Sequence, residues 1–136
     1  MIQVIMGLKG SGKTKKLIDS INATAASAQG SVVCIEYGSK LTYDVNYRVR
    51  LVNSKEYEID NLDKLKGLLS GLHAGNFDIT NVYIDNLYKT IGVDRAAGEE
   101  FILWCAGFAE ANKMNITVTV SDDPAEASTA VKAFLA

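Results

Sequence analysis

This sequence predicts an α/β fold with a mostly parallel sheet of about five strands, and two observations carry the prediction. Short apolar runs rich in β-branched residues alternate along the chain with stretches of helical spacing. Between the first run and the first helical stretch lies a segment that belongs to neither, Gly7-Leu8-Lys9-Gly10-Ser11-Gly12-Lys13-Thr14. At 136 residues, positions 1–136 read as one domain, long enough to bury roughly two thirds of the surface its unfolded chain exposes.

The elements follow in order. Ile2 to Met6 is short, apolar and stopped by Gly7, as a buried strand is. Leu17, Ile18, Ile21, Ala25 and Ala28 recur at three and four residues, and Gly30 is placed to end that helix. Ser31 to Ile35 is a second buried strand. Residues 36–46 show no period and lead into Tyr47-Arg48-Val49-Arg50-Leu51-Val52, whose strict alternation predicts an edge strand with Tyr47, Val49 and Leu51 inward and the arginines wet. Asp60 is placed to cap a helix carrying Leu62, Leu65, Leu68, Leu69 and Leu72 on one stripe. Asn81 to Asp85 is a third buried strand, ending in a carboxylate. A loop containing Gly92 leads to a long helix with Phe101, Trp104, Cys105 and Phe108 on its apolar face, ending near Met114. Ile116 to Ser121 is the next strand, and Pro124 is placed to start a last helix, Ala125 to Leu135.

Composition narrows the function classes. A hydrophobic fraction of 48% and a charged fraction of 22% are those of a soluble protein, and no apolar run approaches the length of a membrane span. The N-terminus lacks an export signal, so the expected location is the cytoplasm. A net charge of −2 supplies no general basic field for nucleic acid. Cys34 and Cys105 are far apart and lack metal-ligand spacing, which makes them buried thiols, and His73 alone cannot build a histidine triad or a zinc cluster. Tyr37, Tyr43, Tyr47 and Tyr57 are spaced either for core and loop packing or for stacking single-stranded nucleic acid, and the acidic balance favours packing.

The glycine-rich segment matches G-x-x-x-x-G-K-[ST], the P-loop or Walker A motif, in the strand-to-helix setting that its mechanism needs. Backbone N–H groups from Gly7, Lys9, Gly10, Ser11, Gly12, Lys13, Thr14 and Lys15 would cradle phosphates at a helix N-terminus. Lys13 would reach the β- and γ-phosphates, and the Thr14 hydroxyl would serve Mg²⁺. Val82-Tyr83-Ile84-Asp85 has the Walker B pattern, in which Asp85 acts on the metal through a bound water. Lys9, Lys15 and Lys16 read first as solvated side chains, whose ammonium groups would also raise the local potential for an anion.

With these two motifs, over residues 2–17 and 82–85, the chain resembles the P-loop NTPase superfamily. In layout and in its ITVTVSDDP stretch it is similar to small stand-alone RecA-like ATP-binding domains, particularly short bacterial ATP-binding proteins labelled with twitching motility. The resemblance implies a three-layer α/β/α sandwich with a minimal RecA-like core, Mg²⁺-dependent ATP binding and slow hydrolysis. In that division a glutamate usually follows the Walker B aspartate. Here Asn86 follows; it cannot accept a proton but can orient a water. Ser121 falls where the division often places a γ-phosphate sensor, with a turn or cap as its alternative role. The catalytic candidates are therefore Lys13, Asn86 and Ser121.

ATP is favoured over GTP, because Asp85 is followed by Asn86-Leu87-Tyr88 rather than D-x-x-G, and Asn112-Lys113-Met114-Asn115 precedes its strand and lacks the N-K-x-D aspartate. Three activities remain open: a switch-like or accessory ATPase with an unknown protein partner, a small-molecule kinase of the nucleoside type, and a non-catalytic ATP-binding module. The kinase reading lacks a zinc lid and a catalytic glutamate, and the arginines are limited to Arg48, Arg50 and Arg95. Arg95 is either an arginine finger in a dimer or a solvated loop residue. Glu99 and Glu100 suit the first turn of a helix better than the role of base. Two strand orders are possible, with the Ile116 strand or the Asn81 strand beside the first. In the former the first strand is an edge, and a homodimer is expected unless the last helix covers it.

Overall fold

The computed structural model describes residues Met1–Ala136. The chain runs β1 (Ile2–Gly7), α1 (Lys13–Ser27), β2 (Ser31–Glu36), β3 (Arg50–Asn53), α2 (Leu62–Gly75), β4 (Ile79–Ile84), α3 (Leu87–Ile91), α4 (Arg95–Ala111), β5 (Asn115–Ser121) and α5 (Thr129–Lys132), with a 3-10 turn over Pro124–Glu126. The five strands form one sheet in the order β1-β5-β4-β2-β3, and every neighbouring pair is parallel. Of the two orders, it is the one with β5 beside β1.

Side-chain alternation along buried parallel strands divides the interior in two. Val33 and Ile35 of β2 and Ile116, Val118 and Val120 of β5 pack with Leu65 and Leu69 of α2 and with Phe101, Ile102 and Cys105 of α4. Val32 and Cys34 of β2 and Tyr83 of β4 pack with Leu17, Ile21 and Ala25 of α1. The Tyr83 hydroxyl meets Ser20 Oγ at 3.2 Å and Thr24 Oγ1 at 2.7 Å, which satisfies its polar end inside the second core. Helices thus cover both faces of the sheet, consistent with three layers. No helix is long and apolar enough to cross a membrane.

Several elements differ from the sequence expectation. Tyr47 and Arg48 lie in a turn, and Tyr47 is 89% exposed instead of facing inward. Asn46 is the cause: its side chain accepts from Arg48 N–H at 2.9 Å and its carbonyl from Val49 N–H at 3.0 Å, so both donors are lost to a ladder. β3 is accordingly short, and Leu51 and Val52 pack on opposite faces of it. The other tyrosines of the set, Tyr37, Tyr43 and Tyr57, are likewise exposed rather than packed in a core. Asn61, not Asp60, caps α2, accepting from Lys64 N–H at 2.9 Å, while Asp60 pairs with the Lys64 ammonium at 2.9 Å. The loop expected around Gly92 holds α3, with Leu87, Tyr88 and Thr90 buried; one turn of helix is too short to show a period. α4 stops at Ala111, short of Met114, because Lys113 adopts a left-handed backbone with φ 53°.

The last helix is broken. Asp123 caps the 3-10 turn and Ser128 separately caps α5, so two competing starts replace one helix. The chain then returns to the sheet: Val4 N–H donates to Phe134 O and Ala136 N–H to Val4 O, both at 2.9 Å. Leu135 therefore lies alongside the middle of β1 as a parallel bridge. The edge that suggested a homodimer has cover from its own chain, and it no longer argues for a second copy.

Candidate functional site

Parallel pairing sets the C-terminal ends of β1, β5 and β4 side by side, with Gly7 level with Ser121 and Ile84 level with Val118. The segments leaving those ends enclose a cleft of about 370 Å³, lined by Lys9, Gly10, Gly12, Lys13, Thr14, Lys15, Asp85, Asn86, Thr119 and Ser121, none of them hydrophobic. Nearly all the residues singled out in the two sequence motifs come together here. Gly7 and Ser11 lie behind the lining. A Cβ on Gly7 would run into the Ser11 side chain, so a larger residue there would require Ser11 to move.

The start of α1 has an unusual feature. Its N-cap is Gly12, with φ 87° and no side chain to accept from the first turn. The N–H groups of Gly12, Lys13, Thr14 and Lys15 have no acceptor within the chain. Gly10, with φ 86°, turns the preceding loop in the same left-handed sense. The result is a row of free donors at the positive end of a 15-residue helix. Lys13 folds back over the loop, donating from Nζ to Leu8 O at 3.1 Å. Partial burial lowers its ammonium from the ordinary lysine value, and the Asp85 carboxylate works in the opposite direction. Lys15 lines the cleft, though its ammonium pairs with Asp19 at 3.2 Å.

Across the cleft, Asp85 follows the last residue of β4. Thr119 Oγ1 donates to Asp85 Oδ1 at 2.9 Å and accepts from Asn86 N–H at 2.6 Å. Thr119 is 1% exposed and spends both capacities of its hydroxyl on the Asp85-Asn86 corner. Asn86 has φ 52°, a left-handed backbone that turns the chain sharply from β4 into α3. Thr119 was not among the sequence candidates. Its signal is the two-residue period that puts it on the same face of β5 as Ser121, whereas Ile116, Val118 and Val120 face the larger core.

Other candidates lie outside the cleft. Arg95 opens α4 and grips Asp122 with two bonds of 2.8 Å, with Glu126 a further 3.6 Å contact. It belongs to the first turn of a helix rather than to a free loop. The Arg95 hydrogen bonds hold the Asp122 carboxyl down at about 2, while Tyr88, whose hydroxyl donates to Asp122 at 3.2 Å, is pushed up to about 12, chiefly by burial. Glu99 accepts from Ser128 N–H at 2.8 Å and Glu100 pairs with Lys66 at 3.4 Å, so neither serves the cleft. His73 packs edge-on against Phe77 and Phe108. Cys34 and Cys105 are buried, which raises both thiols above their ordinary value.

A scan against protein-family models gives no match for this chain, and a search of curated proteins also gives none. The geometry of the cleft is therefore the main ground for a functional reading.

Proposed function

We propose that this chain binds ATP with Mg²⁺ in the cleft and hydrolyses it slowly, as a small RecA-like member of the P-loop NTPases that serves as a nucleotide-dependent switch or accessory ATPase. The observation that carries the reading is the uncapped start of α1. Its free N–H groups, with Lys13 and Thr14, face Asp85 across a cleft lined without hydrophobic side chains. Donors left without partners at a helix N-terminus suit phosphate oxygens.

The residues fit the metal as well. No group of three or more His, Cys, Asp or Glu is present to hold a cation unaided. Thr14 and Asp85 would supply a hydroxyl and a carboxylate, as suits a hard ion that keeps waters and takes phosphate oxygens. Bound Mg²⁺ supplies charge neutralisation on the phosphates. Thr119 fixes the Asp85 carboxylate, Lys13 adds positive charge toward the terminal phosphate, and Asn86 and Ser121 offer hydrogen bonds to orient a water. With Asn86 where a proton acceptor would serve, slow turnover is expected.

Thermal unfolding with and without Mg·ATP tests the reading. At a hundred times Kd, the nucleotide is expected to stabilise the fold by about 2.7 kcal/mol, a midpoint rise of roughly 8 °C for a chain of this size. The rise should vanish in Lys13→Ala. No rise at millimolar Mg·ATP would overturn the proposal, and an equal rise with Mg·GTP would overturn the choice of base.

A further inference from the structure

A second hollow of about 390 Å³ adjoins the cleft, sharing Lys9, Asn86 and Ser121 with it and adding Lys40, Tyr88, Lys89 and Val93. Its three lysines come from three separate elements: the loop after β1, the loop after β2, and α3. No carboxylate lines the hollow, and none of the three ammonium groups takes part in an ion pair. In a chain of net charge −2 this is an uncompensated cationic pocket. The framework under two of the lysines is built in. The Glu36 carboxylate is 5% exposed and accepts from Lys40 N–H at 2.8 Å and from Leu41 N–H at 3.2 Å, which pins the loop carrying Lys40. Lys89 sits on α3 between buried Tyr88 and Thr90, and Thr90 Oγ1 lies 3.4 Å from buried Ser54 Oγ.

We infer that this hollow is the subsite of a phosphoryl acceptor, and that the acceptor is a small phosphate monoester. The inference rests on the reading of the cleft as an ATP site and names a substrate for it. Three lysines without acids select an anion, and the volume suits a small molecule rather than a polymer. The chemistry agrees with the residues: Asn86, at the junction of the two spaces, cannot remove a proton, and a phosphate monoester needs none removed, because its nucleophilic oxygen is already ionised at neutral pH. The acceptor's phosphate oxygen forms a bond to the γ-phosphorus. The bond from that phosphorus to the β,γ-bridging oxygen breaks, its electron pair leaving on ADP. A diphosphate ester and ADP result, with no net proton transfer. Hydrolysis is then the slow reaction that remains when the hollow is empty.

The test is an amide-resolved NMR titration of the protein saturated with Mg·AMPPNP, which occupies the triphosphate positions, using inorganic phosphate as probe and sodium chloride at equal ionic strength as control. Phosphate should shift the amides of Lys40, Lys89 and Val93. The double variant Lys40→Ala/Lys89→Ala should weaken phosphate by about tenfold or more while the AMPPNP affinity changes less than about twofold. Phosphate indistinguishable from chloride, with AMPPNP bound, would overturn the subsite and leave the nucleotide reading intact. Failure of AMPPNP to shift Gly10, Gly12, Lys13 and Thr14 would overturn both, since the acceptor then has no donor. A response to an oligothymidylate but not to phosphate would replace the small acceptor with single-stranded nucleic acid.

Discussion

The long helices of this fold begin in two different ways. α2 and α4 are closed by their own side chains, Asn61 accepting from Lys64 N–H at 2.9 Å and Asp94 from Ala97 N–H at 3.1 Å. α1, of comparable length, begins at Gly12 with no side chain over its first turn and with four N–H groups lacking acceptors in the chain. A capping side chain at Gly12 would gain only about a few tenths of a kcal/mol over glycine, would strain the left-handed backbone at φ 87°, and would occupy the donors that an anion needs. The contrast separates helix starts closed by the chain itself from one whose donors stay open, and those open donors are what the proposed nucleotide site would use. An analogous division holds at the two edges of the sheet: the tail at Phe134–Ala136 closes the middle of β1, while β3 ends the sheet as a strand of four residues.

The largest expected effect is the one that defines the open helix start: the Mg·ATP-dependent midpoint rise of roughly 8 °C, lost in Lys13→Ala. Next is Thr119→Val, which keeps the shape of the side chain and removes its hydroxyl. Asn86 N–H and Asp85 Oδ1 each lose their partner at a part-buried position, so denaturant unfolding should show a loss of about 1 kcal/mol. Mg·ATP binding should weaken as well, because the carboxylate is no longer held. A stability loss with Mg·ATP affinity unchanged would show that Thr119 serves only the fold.

Asn61→Ala and Asp94→Ala sharpen the comparison from the other side. Each is expected to lower stability by about 1 kcal/mol and leave the Mg·ATP-dependent rise intact. If either abolished the rise, closed and open helix starts would not be the separate devices described above.

The smallest effect belongs to the Arg95–Asp122 pair, half-exposed at its arginine, and it appears as pH dependence. The folded Asp122 carboxyl sits at about 2, below an unfolded aspartate near about 3.9. Its contribution is therefore complete above about pH 4 and is lost as pH falls through about 2. The stability difference between the protein and Asp122→Asn, followed by denaturant titration, should stay constant from pH 7 to about pH 4 and shrink toward pH 2. A difference that grew on acidification would have the wrong sign for this pair.

The cleft was legible in the sequence because most of its parts are contiguous. A strand, a glycine-rich loop and a helix start sit together in residues 2–17, and each signal lies within reach of its neighbour along the chain. Asp85 was legible as the carboxylate ending a short apolar run. Thr119 was not, since its partner Asp85 is 34 residues away and no local pattern links them. Arg95 was read as an arginine finger or a solvated loop residue, and its pairing was missed for the same reason: the acid that fixes it, Asp122, is 27 residues further on. The strand from Tyr47 failed differently. Its alternation is genuine, but the local hydrogen bonds of Asn46 compete with the ladder and win.

The sequence by itself determined the class of elements and the chemistry of the first loop, because periodicity, glycine torsions and a contiguous motif are properties of neighbouring residues. Only the tertiary structure decided the strand order β1-β5-β4-β2-β3, the hydroxyl that orients Asp85, the return of the tail to β1 and the meeting of Lys9, Lys40 and Lys89 in one hollow. These contacts join residues far apart in the chain. What selects them is the burial of two apolar faces at once and the satisfaction of polar groups at the ends of the strands, and no local stretch of sequence contains either condition.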